Sequence, residues 1–338
     1  MAKKKVCILY TGGTIGMVPT EHGFAPAPGT FARELDAIRD LSSPRMPEWD
    51  LVEFDPLLDS SNITYRQWNQ IAGEIEKRYD DYDGFVVLHG TDTMAYSASA
   101  LSFMLEGLSK PVVFTGSQIP LCELRSDGKD NLITSVLIAA QGKVREVCLY
   151  FSNVLLRGNR ATKYSADGLI AFASPNYTEL ARAGISIDYR TKAFLNVDRN
   201  TPMTVRRLKN TRLGVIKVFP GIQFDLFTPI VHDDLQGLIL ETFGSGNIPN
   251  YDETLSGLIE EAARMGAIVV VCTQCPQGSV RLGTYEAGSA LVSAGAVSGY
   301  NMTTEAAVAK LQYLLSQDLP HEQIRELMET SLRGEMDR

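Results

Sequence analysis

Three short stretches bring hydroxyls, a carboxylate and an amine to places where an α/β chain exposes its side chains. TGGT (11–14) follows the apolar run VCIL, HGTDT (89–93) follows GFVVL, and RGNRATK (157–163) lies beyond the strand-like EVCLYF (146–151). A threonine hydroxyl is a poor nucleophile at its ordinary pKa and needs a base or a desolvated lysine beside it. Thr91, Asp92 and Lys163 have the right chemistry for that. The carboxylate holds the lysine, the lysine relays the proton of a threonine hydroxyl, and glycine-rich turns offer bare N–H groups to an oxyanion. Plainer readings remain open: TGGT also suits a tight turn or a phosphate cradle, any of Thr91, Asp92 and Thr93 can cap a helix, and Lys163 alone is an ordinary surface lysine.

Other chemistries fit poorly. A P-loop requires GxxxxGK[ST] and a dinucleotide fold requires GxGxxG after the first strand. GGTIG (12–16) has the wrong spacing, and GSGNIP (244–249) lacks the third glycine. His22, His89, His232 and His321 are scattered and form no HxxxH pair, so no metal is expected. CTQC (272–275) is followed by PQGS, which does not start the helix a thioredoxin-like site needs. No GxSxG elbow is present.

The elements that must hold these groups alternate in the manner of an α/β fold. Segments 5–10, 50–54, 84–89, 111–116 and 146–151 read as strands, with helices between them. Trp68, Ile71, Ile75 and Tyr79 share one helical face, behind a capping box Thr64-x-x-Gln67; 94–106 and 129–141 are further helices. A polar, aperiodic stretch at 191–211 reads as a linker between a catalytic domain (1–190) and a C-terminal domain (212–338). The latter has strands at 213–219, 237–243 and 267–272 and helices near 252–265, 285–294, 303–317 and 321–333. Ligands of open α/β sheets sit beyond the carboxyl ends of the strands, where TGGT, DSSN (59–62), HGTDT, TGSQ (115–118) and RGNRATK all fall.

The 338 residues, 44% apolar and 21% charged, are ordinary for a globular protein of two domains. A net charge of −8 speaks against nucleic acid as a partner. No run reaches the roughly 18 apolar residues of a membrane span. VCILY after Lys3-Lys4-Lys5 is shorter than a signal-peptide core of about 7–15 residues. Five scattered cysteines read as reduced thiols, and the expected compartment is the cytoplasm.

TGGTIG (11–16) and HGTDTM (89–94), in that order and at strand ends, resemble the bacterial-type asparaginase/glutaminase family, most closely its cytoplasmic type I branch. LLDSSNIT (57–64), GSQIPL (116–121), RSDG (125–128) with Asn131, RGNRATK and GSGNIP extend the resemblance over nearly the whole chain. It implies a two-domain α/β fold, with a large N-terminal domain and a smaller C-terminal one built on a parallel sheet. The implied reaction is hydrolysis of L-asparagine to L-aspartate and ammonia, without a cofactor. Thr14 is then the nucleophile that carries an acyl intermediate, supported by Thr91, Asp92 and Lys163. Asp59, Ser60 and Ser61 hold the α-carboxylate and α-amino group, with Asp92 also on the ammonium. The backbone at Gly13 and Thr91 meets the oxyanion, and the carbonyl of Ser117 meets the leaving nitrogen. The resemblance also implies a homotetramer, a dimer of dimers in which the segment Arg281–Gly288 of a neighbouring copy closes the site, with Tyr285 as its candidate residue.

Two positions depart from the family pattern. Phe24 stands where many relatives carry a loop tyrosine, and it has no hydroxyl to relay a proton. Glu241, in GLILETF (237–243), stands where some cytoplasmic relatives use an arginine to bind an effector asparagine; Thr162 and Cys275 still match that site, but a carboxylate repels the effector's own. The rival enzyme is a glutamine-preferring amidohydrolase, including the tRNA-dependent amidotransferase subunits. Those carry an extra N-terminal module, whereas here the first strand begins at residue 5. A rival of another kind is a non-catalytic amino-acid-binding module with Thr14 in a turn.

Overall fold

KVCILYTG (5–12) is apolar on both faces, and such a strand is stable only when covered from both sides. Val6, Cys7, Ile8, Leu9 and Tyr10 are accordingly without exposed surface in the computed structural model, which describes residues 3–197, 201–232, 234–249, 254–283 and 286–338. The chain divides into two units, Met1–Arg206 and Arg207–Arg338.

The first unit is built on eight strands: β1 (Lys5–Gly12), β2 (Glu48–Leu58), β3 (Gly84–Leu88), β4 (Val112–Thr115), β5 (Val147–Phe151), β6 (Val154–Arg157), β7 (Ala181–Ala183) and β8 (Ile187–Tyr189). Their order across the sheet is β8-β7-β6-β5-β4-β3-β1-β2. The five from β5 to β2 run parallel, and the remaining edge is antiparallel. Because β1 lies between β2 and β3, the winding reverses there. The carboxyl ends of β1 and β3, which carry TGGT and HGTDT, thus open at the switch point where α/β sheets hold ligands.

Helices α1 (Tyr65–Arg78), α2 (Met94–Met104) and α3 (Gly128–Gln141) make three of the four parallel crossovers, and the β1-to-β2 connection carries only a short helix at Phe31–Asp36. In α1 the Thr64–Gln67 capping box is present, and Trp68, Ile71 and Ile75 are buried, while Tyr79 falls just beyond the helix. Helix α2 is sheathed on almost every side, so its small residues Ala95, Ala98 and Ala100 allow close packing. The strands at 154–157, 181–183 and 187–189 are not legible in the sequence: each is short and is held by pairing with a neighbour.

The second unit has an all-parallel sheet, β9 (Leu213–Lys217), β10 (Gly237–Thr242), β11 (Ile268–Thr273) and β12 (Val297–Ser298), ordered as in the chain. Helices α4 (Thr254–Arg264), α5 (Glu286–Ser293), α6 (Thr304–Leu315) and α7 (His321–Met328) accompany it. On α6, Lys310 is fully buried and paired at 2.6 Å with Glu335, also fully buried. The amine further donates to the carbonyls of Met328 and Thr330, and Glu335 accepts from the Leu332 and Arg333 amides. Both charges are thereby satisfied, as burial demands. All five cysteines are free thiols, and no helix among the described residues is long and apolar enough to cross a membrane.

Candidate active site

At the end of β1 the backbone turns through Gly12 and Gly13, both with positive φ, into a single helical turn, Thr14–Gly16. Gly13 lies against the second strand end: a Cβ there would stand 2.5 Å from Gly90 N and 2.6 Å from Gly90 Cα. One on Gly12 would strike the Leu58 carbonyl, and one on Gly90 would strike Ser60. The turn after β1 therefore meets the end of β2 and the loop after β3 backbone to backbone, with the Ser60 side chain close on Gly90, and only glycine permits that approach.

None of the three polar residues before α2 caps it. Thr93 occupies the cap position without a capping bond and donates instead to the Ser60 carbonyl at 2.7 Å. Asp92 accepts from Lys163 Nζ at 2.6 Å. Thr91, almost fully buried, accepts from the same amine at 3.0 Å and donates to Gln118 Oε1 at 3.1 Å. Lys163 comes from a two-residue strand, Thr162–Lys163, paired antiparallel with Phe172–Ala173. Its side chain is mostly covered while that of Asp92 is 66% exposed, so the carboxylate keeps a solvent-facing side.

His89 fixes the loop from beneath. Its Nδ1 donates to the Gly90 carbonyl at 2.7 Å, so Nε2 must accept, from Ser97 Oγ at 2.9 Å, and Ser97 in turn accepts from Trp68 Nε1 at 2.8 Å. Full burial depresses the His89 pKa to about 4 and keeps the ring neutral. On the DSSN loop, Asp59 accepts from the Ser61 amide at 3.0 Å and from Asn62 Nδ2 at 3.2 Å. Ser60 is buried and Ser61 exposed. After β4, the carboxylate of Asp127 receives the amides of Gln118 and Ile119. Ser117 Oγ is buried beside them with no partner among the described residues.

Thr14, Asp59, Ser60, Ser61, Thr91, Asp92 and Ser117 thus lie at turns and loops gathered around one end of the first unit's sheet, and Lys163 reaches Thr91 and Asp92 there from its short strand. Tyr285 lies outside the described residues. Phe24 sits on the hairpin Met17–Thr20/Gly23–Pro26, half exposed. No group of three His, Cys, Asp or Glu side chains able to hold a metal ion occurs among the described residues. Sequence reasoning passed over Gln118 and the His89–Ser97–Trp68 chain. Gln118 stood inside the quoted GSQIPL motif, but nothing in its type or spacing announced a partner 27 residues away.

The family model for the asparaginase N-terminal domain matches residues 5–195, and that for the glutaminase/asparaginase C-terminal domain matches residues 212–328. The chain belongs to the asparaginase family. L-asparaginase 1 of Escherichia coli (strain K12) is 47% identical over 99% of this chain and 99% of its own. The 60 kDa lysophospholipase of Mus musculus is 41% identical over 99% of this chain and 63% of its own length. Among solved structures, L-asparaginase I from Vibrio cholerae superposes with a TM-score of 0.92 at 46% identity, covering both chains completely. The two-domain asparaginase architecture expected from the resemblance, with a parallel sheet in the C-terminal domain, is the one observed.

Proposed function

We propose that this chain hydrolyses the side-chain amide of L-asparagine to L-aspartate and ammonia, without a cofactor. One observation carries the reading: Thr91 and Asp92, both hydrogen-bonded by Lys163, lie on a loop packed directly against the glycine turn that ends in Thr14. In this reading Thr14 Oγ attacks the amide carbon. The C–N bond breaks, and the proton lost by Thr14 passes to Lys163, held in place by Thr91 and Asp92, and leaves on ammonia. A β-aspartyl ester remains on Thr14. Water then attacks the ester carbon, the C–O bond breaks, and aspartate departs as the Thr14 hydroxyl is restored.

The remaining roles are those that the family resemblance implies. The backbone at Gly13 and Thr91 faces the oxyanion, and fixed dipoles of this kind are worth most where charge develops. Asp59, Ser60 and Ser61 receive the α-carboxylate and α-ammonium, with Asp92 offering the latter its solvent-facing oxygen. The Ser117 carbonyl receives the leaving nitrogen. Assembly as a homotetramer in the cytoplasm, with Tyr285 of a second copy completing the site, belongs to the same proposal; its support is the family membership and the five free thiols.

Ammonia release from L-asparagine, with L-glutamine alongside, tests the substrate. Thr14→Ala is expected to fold and to lose about 10³-fold or more in kcat, roughly 4 kcal/mol of barrier. In Lys163→Met under slow turnover, mass spectrometry is expected to find the acyl group on Thr14. An ester on Thr91 instead, or Thr14→Ala within tenfold of the parent, overturns the mechanism.

A further inference from the structure

Both polar atoms of the Gln118 side chain are engaged. Its Nε2 donates to two backbone carbonyls, Ala166 and Gly168, each at 3.1 Å. Carbonyl oxygens only accept, so the amide has one possible orientation, with Oε1 turned to Thr91. That oxygen cannot donate. The single hydroxyl proton of Thr91 therefore points at Gln118, and the Thr91 oxygen turns its lone pairs to Lys163 Nζ, 3.0 Å away.

From this geometry we propose that Gln118 is a positioning residue for the reaction, one that sets the direction of the Thr91 hydroxyl. It holds the chain Lys163→Thr91→Gln118 in one sense, so Lys163 meets an acceptor and not a competing O–H. A hydroxyl freed from Gln118 rotates, and a fraction of molecules then presents the Thr91 proton to the amine and breaks the alignment. The inference rests on the Thr14 reading given above.

The frame around Gln118 is built to keep this orientation. Both oxygens of Asp127 accept the Gln118 amide at 3.1 Å, and Asp127 Oδ1 also takes the Ile119 amide at 3.0 Å. Asn131 Nδ2 bridges the Gly116 carbonyl and Asp127 at 3.0 and 3.2 Å. The side-chain amide ties this frame to the 166–168 loop, three to five residues beyond Lys163. Gln118 thus spans the two segments that supply the Thr91 contact and the lysine.

Gln118→Met keeps the length and removes both the acceptor and the donors. Its kcat for L-asparagine is expected to fall about 10- to 100-fold while KM stays within threefold, since no substrate-holding group is removed. Thr91→Ala provides the decisive background, assayed at high enzyme concentration and long incubation. If Gln118 acts through the Thr91 hydroxyl, adding Gln118→Met to Thr91→Ala changes kcat by less than twofold. A residue that merely props the loop costs the same factor in both backgrounds, and that result overturns the proposal. So does a Gln118→Met enzyme with kcat within twofold of the parent. If Thr14→Ala is inactive while either of these results is found, the Thr14 reading stands and the role of Gln118 alone is refuted. If Thr14→Ala is active, the underlying reading has failed.

Discussion

Gly13→Ala tests how closely the nucleophile turn is pressed against its neighbour. Gly13 has φ 90° and ψ 174°, in a region that is essentially reserved for glycine and costs other residues about 1–3 kcal/mol. The new methyl also meets Gly90 N at 2.5 Å, Gly90 Cα at 2.6 Å and the His89 carbonyl carbon at 2.9 Å. All are backbone atoms, and His89 is locked from below, so relief requires one loop to move; overpacking of this kind costs about 1–3 kcal/mol. A loss of about 4 kcal/mol is expected, which for a unit of this size lowers Tm by roughly 8–16 °C. Displacing Thr14 should cost about 100-fold in kcat as well. Gly142→Ala separates the two contributions. Gly142 also has positive φ (61°), but nothing lies within 4 Å of its added methyl, so about 1 kcal/mol and a shift of a few degrees are expected. Calorimetric melting and steady-state ammonia release on both variants decide the matter. Should Gly13→Ala melt with Gly142→Ala and turn over at the parental rate, the close approach of the two loops plays no part.

The His89 ring, neutral in the fold with a pKa of about 4 against 6.5 when unfolded, makes stability depend on acid. The unfolded chain takes up its proton first, so stability is full above about pH 6.5 and is lost progressively toward pH 4, by roughly 3 kcal/mol. Urea titrations across that range should show a shallower decline for His89→Gln than for the parent; identical slopes would refute it. Glu241 accepts a hydrogen bond from Thr304 at 2.6 Å and has only acceptors to offer an effector's carboxylate, so the rate should depend hyperbolically on asparagine. Glu241→Arg can grip the carboxylate with two charge-assisted bonds; if these distinguish the two states tenfold in affinity, a difference of about 1.4 kcal/mol, the curve turns sigmoidal. A Hill coefficient clearly above one that survives Glu241→Ala would show the effector held by other contacts.

Local pattern determined much of this protein. VCILY, GFVVL, VVFT and VCLYF are short apolar runs bounded by turn residues, which suits buried strands of a parallel sheet, and the spacing of Trp68, Ile71 and Ile75 suits one face of a helix. Two threonine-bearing motifs at strand ends carried the resemblance to the asparaginase family, and it was the resemblance, not the residues alone, that implied amide hydrolysis. The sequence could not show how Thr91, Asp92 and Thr93 divide their bonds, because a hydroxyl before a helix caps it by default. Only the arrival of Lys163, Ser60 and Gln118 from other loops draws those groups away. Likewise β6, β7 and β8 are too short to carry a pattern of their own and exist through pairing. The orientation of the Gln118 amide and the neutral ring of His89 depend on carbonyls and hydroxyls distant along the chain. Side-chain identity is local, but the direction of a hydrogen bond is set by whichever partner the folded chain brings within 3 Å.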